Sequence, residues 1–372
     1  MAAEPGLVGH AAERRMLLRA LERGSLAHAL LVTGEAGLGK RRFAEWLVAA
    51  RWCEAAGRPC GACASCRKVA SGNHPDLLVI RRNPSRDEDP DGLGSRTEIT
   101  VEQVRSQLIP ALAVRPIEGR GRAVIIDGAD TLNEAAQNAL LKTLEEPPRG
   151  CLLVLLASHE DALLATLRSR CQEVRLSPLE DAEMAAFAEG ADARRLALAG
   201  GRPGRLRQVL ALDVDALHEA FDAVLAGRLP GTAFARRVQE LIAAAAEADA
   251  EADGAVGDEP GDDAGARGEA GQERGEKERP AGRAERAAPA GRGARGDADE
   301  WHRLAAELLL ARLVERVGSG DLGGASAARL QAAQEALLEL GPDLRRHIPP
   351  SVAWAAAGTA LAGPIGAGDR DG

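Results

Sequence analysis

Ala29-Leu30-Leu31-Val32-Thr33-Gly34-Glu35-Ala36-Gly37-Leu38-Gly39-Lys40-Arg41 is the stretch on which the fold turns. Five apolar or β-branched residues run without a polar interruption into glycines spaced as G-x-x-x-x-G-K, and an apolar-periodic segment follows. A short, continuously apolar run reads as a strand buried on both faces, which is the habit of parallel sheets covered by helices. Glycines at 34, 37 and 39 allow the backbone to curl so that its N–H groups and a helix N-terminus can cradle phosphate, while Lys40 reaches the terminal phosphates. The next position should be Ser or Thr, whose hydroxyl ligates Mg²⁺. Here it is Arg41, a cation with no acceptor oxygen. The loop keeps phosphate-binding features and is not expected to hold Mg²⁺.

The same signal recurs outward along the chain. Residues 77–80 (LLVI), 123–126 (AVII) and 152–157 (LLVLLA) are further buried-strand candidates. Residues 41–50, 101–113, 133–146 and 162–170 lie between or beside them and carry helical periodicity. The alternation predicts a doubly wound parallel sheet. The second strand motif ends in Asp127-Gly128-Ala129-Asp130, which puts Asp127 where a P-loop ATPase has its metal-side carboxylate. Pro147-Pro148 closes the 133–146 helix. From residue 179 onward the pattern is helical, with breaks at Gly200-Gly201 and Pro203-Gly204.

Cys53, Cys60, Cys63 and Cys66 form a C-x6-C-x2-C-x2-C array. Four thiolates can build the closed tetrahedral shell of a structural Zn²⁺. Such a shell has no open position and so carries no catalysis. Cys151 and Cys171 stand apart from it.

Charge and composition exclude several classes. Aromatics make up 2% of the 372 residues, with no Tyr, so the core rests on Ala, Leu and Val. That composition disfavours an all-β sandwich. No apolar run is long enough for a membrane span, and Met1 to Gly9 lacks the pattern of a secretory leader, so a cytoplasmic location with reduced or metal-bound cysteines is expected. The formal charge of −9 argues against a nucleic-acid binder until its distribution is examined. Residues 247–300 hold 16 acidic and eight basic residues and one large aliphatic, Val256, so that stretch is expected to be a disordered spacer. It carries −8 of the total, and the rest of the chain is nearly neutral.

These residues together resemble the delta-prime subunits of bacterial DNA polymerase III clamp loaders, members of the AAA+ class. The match runs over residues 7–210 and more loosely through the C-terminal helices. It rests on Leu7-Val8-Gly9-His10, Ala27-His28-Ala29, the phosphate loop, the four-cysteine insertion and His74-Pro75-Asp76. It continues through Val101-Glu102-Gln103-Val104-Arg105, the run from Asn138 to Pro148 (NALLKTLEEPP), and Ser169-Arg170-Cys171. The resemblance implies an α/β plus all-α architecture. Residues 1–178 would form an AAA+ P-loop domain with a zinc-binding insertion at 53–66, residues 179–212 a helical lid, and residues 213–246 with 301–363 a helical collar interrupted by 247–300.

It also implies a non-motor subunit that helps load the sliding clamp onto primed DNA, in a hetero-pentamer with gamma/tau motor and delta subunits. Active AAA+ members carry Glu where this chain has Gly128. With Arg41, that makes Gly34, Gly37, Gly39, Lys40 and Asp127 a degenerate site for ATP or ADP. A lid arginine of the active pattern falls at Gly204, with Arg205 one residue on. Arg170 would be an arginine finger acting on a neighbour's ATP, against the alternative of a helix-capping arginine. Arg115, Arg120 and Arg122 are candidates for phosphate contacts to DNA. The rival readings are a gamma/tau-type motor ATPase, which should keep the hydroxyl and the Glu, a zinc-bearing DNA-binding regulatory module, which should be basic, and an independent helicase.

Overall fold

A computed structural model describes residues 7–82, 98–118, 121–187, 191–255, 298–319, 327–345 and 350–362. Helix α1 (Ala11–Glu22) precedes β1 (Ala29–Thr33), and α2 (Lys40–Trp52) and α3 (Ala64–Ala70) lead to β2 (Leu77–Arg81). Next come α4 (Val101–Gln103), a π-helical turn (Val104–Leu108) and α5 (Ile109–Ala113). Strand β3 (Arg122–Asp127), α6 (Glu134–Glu145), β4 (Cys151–Ala157), α7 (Ala165–Arg168) and β5 (Gln172–Arg175) complete the sheet region. All strand pairs among the described residues are parallel, as the alternation of apolar runs and helical segments predicts, and the order is β2-β3-β4-β1-β5.

Side chains alternate across this sheet, and both faces are dry. Leu30, Val32, Ile125, Leu152 and Val154 pack with Phe43, Leu47 and Val69 on the face covered by α1 to α3. Leu31, Val124, Ile126, Leu153 and Leu155 pack with Val104, Leu108, Leu140 and Leu144 on the other. Two-sided burial is the reason these strands read as unbroken apolar runs.

Three departures from the sequence expectation have local causes. The 101–113 helix is interrupted by its π-turn just before Pro110, whose ring would crowd the carbonyl four residues earlier; widening the turn relieves that. The 162–170 segment is helical only over α7, after a 3₁₀ turn at Glu160–Ala162. Strand β5 escaped notice because only Val174 of its four residues is buried, as suits an edge strand.

The remaining elements are helical: α8 (Asp181–Phe187), α9 (Ala193–Ala199), α10 (Pro203–Ala211), α11 (Val214–Leu225), α12 (Gly231–Ala255), α13 (Ala298–Ser319), α14 (Ala327–Arg345) and α15 (Pro350–Ala362). Leu179, Met184, Ala199 and Leu206 form a small apolar cluster of their own. A larger one runs from Val209 to Leu361 and includes Phe221, Phe234, Trp301 and Trp354. Asp222 on α11 accepts from Arg312 Nη2 at 2.9 Å and Arg316 Nη1 at 2.6 Å on α13. Burial raises the Asp222 carboxyl pKa, but the two guanidiniums prevail and hold it below its ordinary value.

Residues 247–255 and 298–300, expected to belong to the disordered spacer at 247–300, are helical. Helix α12 continues to Ala255 and α13 starts at Ala298, while 256–297 lie outside the described residues. The run EADAEADGA is rich in Ala and Glu, good helix formers, and Asp249 pairs with Arg207 on α10 at 2.8 Å. No helix among the described residues is long and apolar enough to cross a membrane.

Two features of the helical cluster yield predictions. Gly231 and Gly358 meet so closely that a Cβ on Gly358 would lie 2.2 Å from the Gly231 carbonyl oxygen. Gly358→Ala is expected to destabilise the protein by about 1–3 kcal/mol in chemical denaturation, the cost of overpacking. Trp354 Nε1 donates to His302 Nδ1 at 2.9 Å, and burial pushes the His302 imidazole from 6.5 down to about 4. The unfolded chain therefore takes up this proton first. The stability tied to a neutral His302 is complete above pH 6.5 and falls as pH drops toward 4. Burial lowers His74 and His218 as well, so the diagnostic is a difference: His302→Gln, which keeps an acceptor for Trp354, should flatten the decline in melting temperature between pH 7 and 4.5.

Candidate functional site

In a parallel sheet all strand C-termini share one edge, and ligands of such folds sit there. Three adjacent strands deliver candidate residues to that edge: β1 the phosphate loop, β3 Asp127, and β4 Ser158. Gly34, Gly37 and Gly39 all have positive φ (141°, 83° and 82°), and Gly39 stands at the N-terminus of α2. L-residues with side chains rarely adopt such values, so the cradle depends on glycine. Lys40 Nζ donates to Gly34 O at 2.8 Å, Glu35 O at 2.9 Å and Ser158 Oγ at 2.9 Å.

Arg41 takes up the metal side of this cradle. Its Nη1 lies 3.6 Å from Asp127 Oδ2, and its Nε donates to Glu45 Oε1 at 2.9 Å. Burial opposes the guanidinium charge, yet Glu45 and Asp127 outweigh it and raise the Arg41 pKa. The residues do not suit Mg²⁺: the hydroxyl ligand is absent and the carboxylate already faces a fixed cation. Asp130 is no substitute, since its Oδ2 accepts from the backbone N–H groups of Ser158 and His159, both at 3.1 Å. Gly128 has φ of 85° and continues the turn.

The start of α10 lies directly on the loop. Gly204 N donates to Gly37 O at 2.8 Å, and a Cβ on Gly204 would sit 3.1 Å from Gly37 Cα. Arg202 Nη1 reaches Glu35 Oε2 at 3.2 Å. Arg205 turns away instead, donating to Leu198 O at 2.9 Å and pairing with Glu307.

The four cysteines converge. Their Sγ atoms all lie within 4.8 Å of one another, with Cys53 and Cys66 buried and Cys60 and Cys63 partly so. Cys53 follows α2 and Cys66 lies in α3. Backbone N–H groups of Cys63 and Cys66 point at the sulfurs of Cys60 and Cys63 at 3.3 and 3.4 Å. Backbone hydrogen bonds from Cys63 and Ala62 bring the Cys60 thiol down to about 6, while burial pushes Cys66 up to about 12. Four thiolates cannot share this space without a cation, and the cluster could hold a metal ion. Next to it Trp52 stacks on His74 at 4.0 Å, and buried Asp76 accepts from the N–H groups of Ile117 and Glu118 at 2.7 and 2.8 Å.

Arg170 belongs to the opposite edge. It lies two residues before β5, whose Gln172 is in register with Leu30, and so it sits level with the start of β1. Its Nε and Nη2 donate to Glu145 Oε1 at 3.0 and 2.6 Å, and its Nη1 to Thr166 O at 2.8 Å. The capping contact that a helix-end arginine would make is thus present together with an ion pair to α6. The loop arginines fare differently. Arg122 donates to Val114 O at 3.2 Å and to Pro75 O and Arg115 O at 3.3 Å. Arg115 is exposed and Arg120 lies outside the described residues.

Sequence reasoning missed Ser158, Glu145 and the Arg202–Glu35 pair. Ser158 could have been suspected from its place just after an apolar strand; the other two join residues far apart in the chain and left no local signal.

Residues 9–180 match the family described as DNA polymerase III, delta subunit. DNA polymerase III subunit delta' of Pseudomonas aeruginosa is 38% identical over 192 residues, covering 49% of this chain and 55% of that protein. The delta' subunit of Bacillus subtilis is 34% identical over 167 residues, covering 45% and 47%. Subunit tau of Escherichia coli is 34% identical over 166 residues, covering 44% of this chain and 24% of that protein. The chain spans about half the length of the curated delta' relatives it matches. Over residues 9–180, the region that carries the phosphate loop, the cysteine cluster and Arg170, this chain is similar to DNA polymerase III delta' subunits.

Proposed function

We propose that the protein is a non-motor subunit of a replicative clamp loader, acting on a neighbour's ATP through Arg170 and not cycling nucleotide itself. The observation that carries this reading is the separation of the two chemistries across the sheet. The phosphate loop is at the strand C-termini, whereas Arg170 is level with the start of β1. Five residues of strand rise by roughly 16 Å, far beyond an arginine's reach. Arg170 therefore cannot serve its own loop, and a guanidinium facing outward is suited to stabilising charge on the γ-phosphate of an adjacent subunit.

The Arg41–Asp127 pair supports the other half of the reading. A motor ATPase needs metal at the carboxylate, and here a side-chain cation faces it. The loop formed by Gly34, Gly37, Gly39 and Lys40 then serves as a structural remnant that closes against Gly204. On this reading, residues 1–178 form the AAA+ domain, 179–212 a lid, and 213–246 with 301–363 a helical collar. Through that collar the subunit joins gamma/tau and delta subunits in a hetero-pentamer that places a sliding clamp on primed DNA. Contacts with DNA would be made through phosphates, without base reading.

The cysteine cluster we assign to structural Zn²⁺, held by Cys53, Cys60, Cys63 and Cys66. When bound, the ion supplies the charge that lets four thiolates coexist and ties α2 to α3. Metal analysis of the full chain should find about one Zn²⁺, lost in the Cys63→Ser/Cys66→Ser variant together with a lowered melting temperature; a metal-free native protein would refute the assignment.

In an assembly reconstituted with ATPase subunits, Arg170→Ala should leave complex formation intact and lower ATP turnover on the order of 10³-fold at the site it serves. The purified chain alone should show no ATPase comparable with a motor subunit. Unchanged turnover with Arg170→Ala, or brisk hydrolysis by the isolated chain, would overturn the reading.

A further inference from the structure

We infer that Glu145 is a positioning residue for Arg170, holding its guanidinium in the orientation in which it meets a neighbouring subunit's triphosphate; the inference rests on the trans role proposed above. Glu145 is the last residue of α6, and Glu146 follows it. Two carboxylates at the negative end of a helix dipole are electrostatically unfavourable for that helix. Their helix gains nothing from them there, and Arg170 supplies Glu145 with a cation.

The geometry of the pair is directional. A guanidinium has five N–H donors in a planar fork. The Nε donor and one Nη2 donor go to Glu145 Oε1, and one Nη1 donor goes to Thr166 O. One donor on each terminal nitrogen is left over, with no partner among the described residues. A donor left on each of two terminal nitrogens can meet phosphate oxygens. Glu145 and Thr166 thus fix the plane of the guanidinium while leaving a donor of each terminal nitrogen unused. The two ends of the ion pair are 36% and 52% exposed, so the arrangement is accessible to a partner.

Glu145 is itself anchored. The turn of α6 that bears it is held to the start of β1 by His28 Nε2, 3.0 Å from Leu144 O, and α6 cannot extend further because Pro147 and Pro148 follow. The carboxylate is therefore presented from a fixed helix end and not from a free loop. An exposed ion pair has a modest worth, so its loss should lower turnover without abolishing it.

The test uses the full chain in an assembly reconstituted with ATPase subunits, with Glu145→Ala, Glu145→Gln, Glu145→Asp, Arg170→Ala and the Glu145→Ala/Arg170→Ala double variant. Glu145→Ala and Glu145→Gln should lower kcat for ATP about twofold to fivefold with KM little changed. Glu145→Asp should recover most of the loss. In single-turnover hydrolysis the double variant should fall no further than Arg170→Ala. Melting temperatures of the variants identify a merely structural role, which would shift stability and leave kcat alone. Full turnover with Glu145→Ala beside a disabled Arg170→Ala overturns this inference and leaves the trans role standing, as does an additive loss in the double variant. Unchanged turnover with Arg170→Ala removes the trans role and this inference with it.

Discussion

Burial of β1 between β4 and β5, with helices on both faces, is the constraint from which the rest follows. A strand dry on both sides must be largely apolar along its length, and its parallel neighbours must be joined by crossovers. All five strands then begin at one edge and end at the other. Each edge collects a different set of polar residues. The end of β1 flows into the phosphate loop beside Asp127 and Ser158, while the start of β1 lies level with Arg170 and Glu145. The two sets are kept apart by the length of a strand, and a packed core cannot bend to bring them together.

At the phosphate edge the molecule satisfies itself. Lys40 is bound by the loop's own carbonyls and by Ser158, Asp127 faces Arg41, and the Gly37 carbonyl accepts from Gly204. Every charge that a metal–nucleotide complex would engage has an internal partner. The glycines that once suit phosphate also suit this closed state, because a Cβ on Gly204 would press on Gly37. At the opposite edge the reverse holds: Arg170 retains donors that the described residues do not use.

Much of this was legible before any coordinates. The continuous apolar runs gave the sheet, since two-sided burial leaves no room for polar residues. The glycine spacing gave the loop, and the substitution of Arg41 by itself indicated that metal binding was compromised. Cysteine spacing foretold the cluster because ligands of one tetrahedral site must sit within a few ångströms, and short loops are the simplest way to achieve that. Three things were not legible. Edge strand β5 hides its nature behind charged residues; the π-turn before Pro110 depends on a steric clash with no hydropathy signature; and the helical start of the acidic segment was masked by its charge, although Ala and Glu favour helix.

The amino-acid sequence alone determined which segments are buried and which chemistry each short motif can support, because those properties rest on hydrophobicity and on spacing along a few residues. Only the tertiary structure decided which charges meet. Arg41 with Asp127, Arg202 with Glu35, and Arg170 with Glu145 are separated by 25 to 167 positions in the chain. Their pairing depends on strand order and helix packing. Coulombic and hydrogen-bonding interactions act over a few ångströms of space, and distance in space is set by the fold and not by distance along the chain.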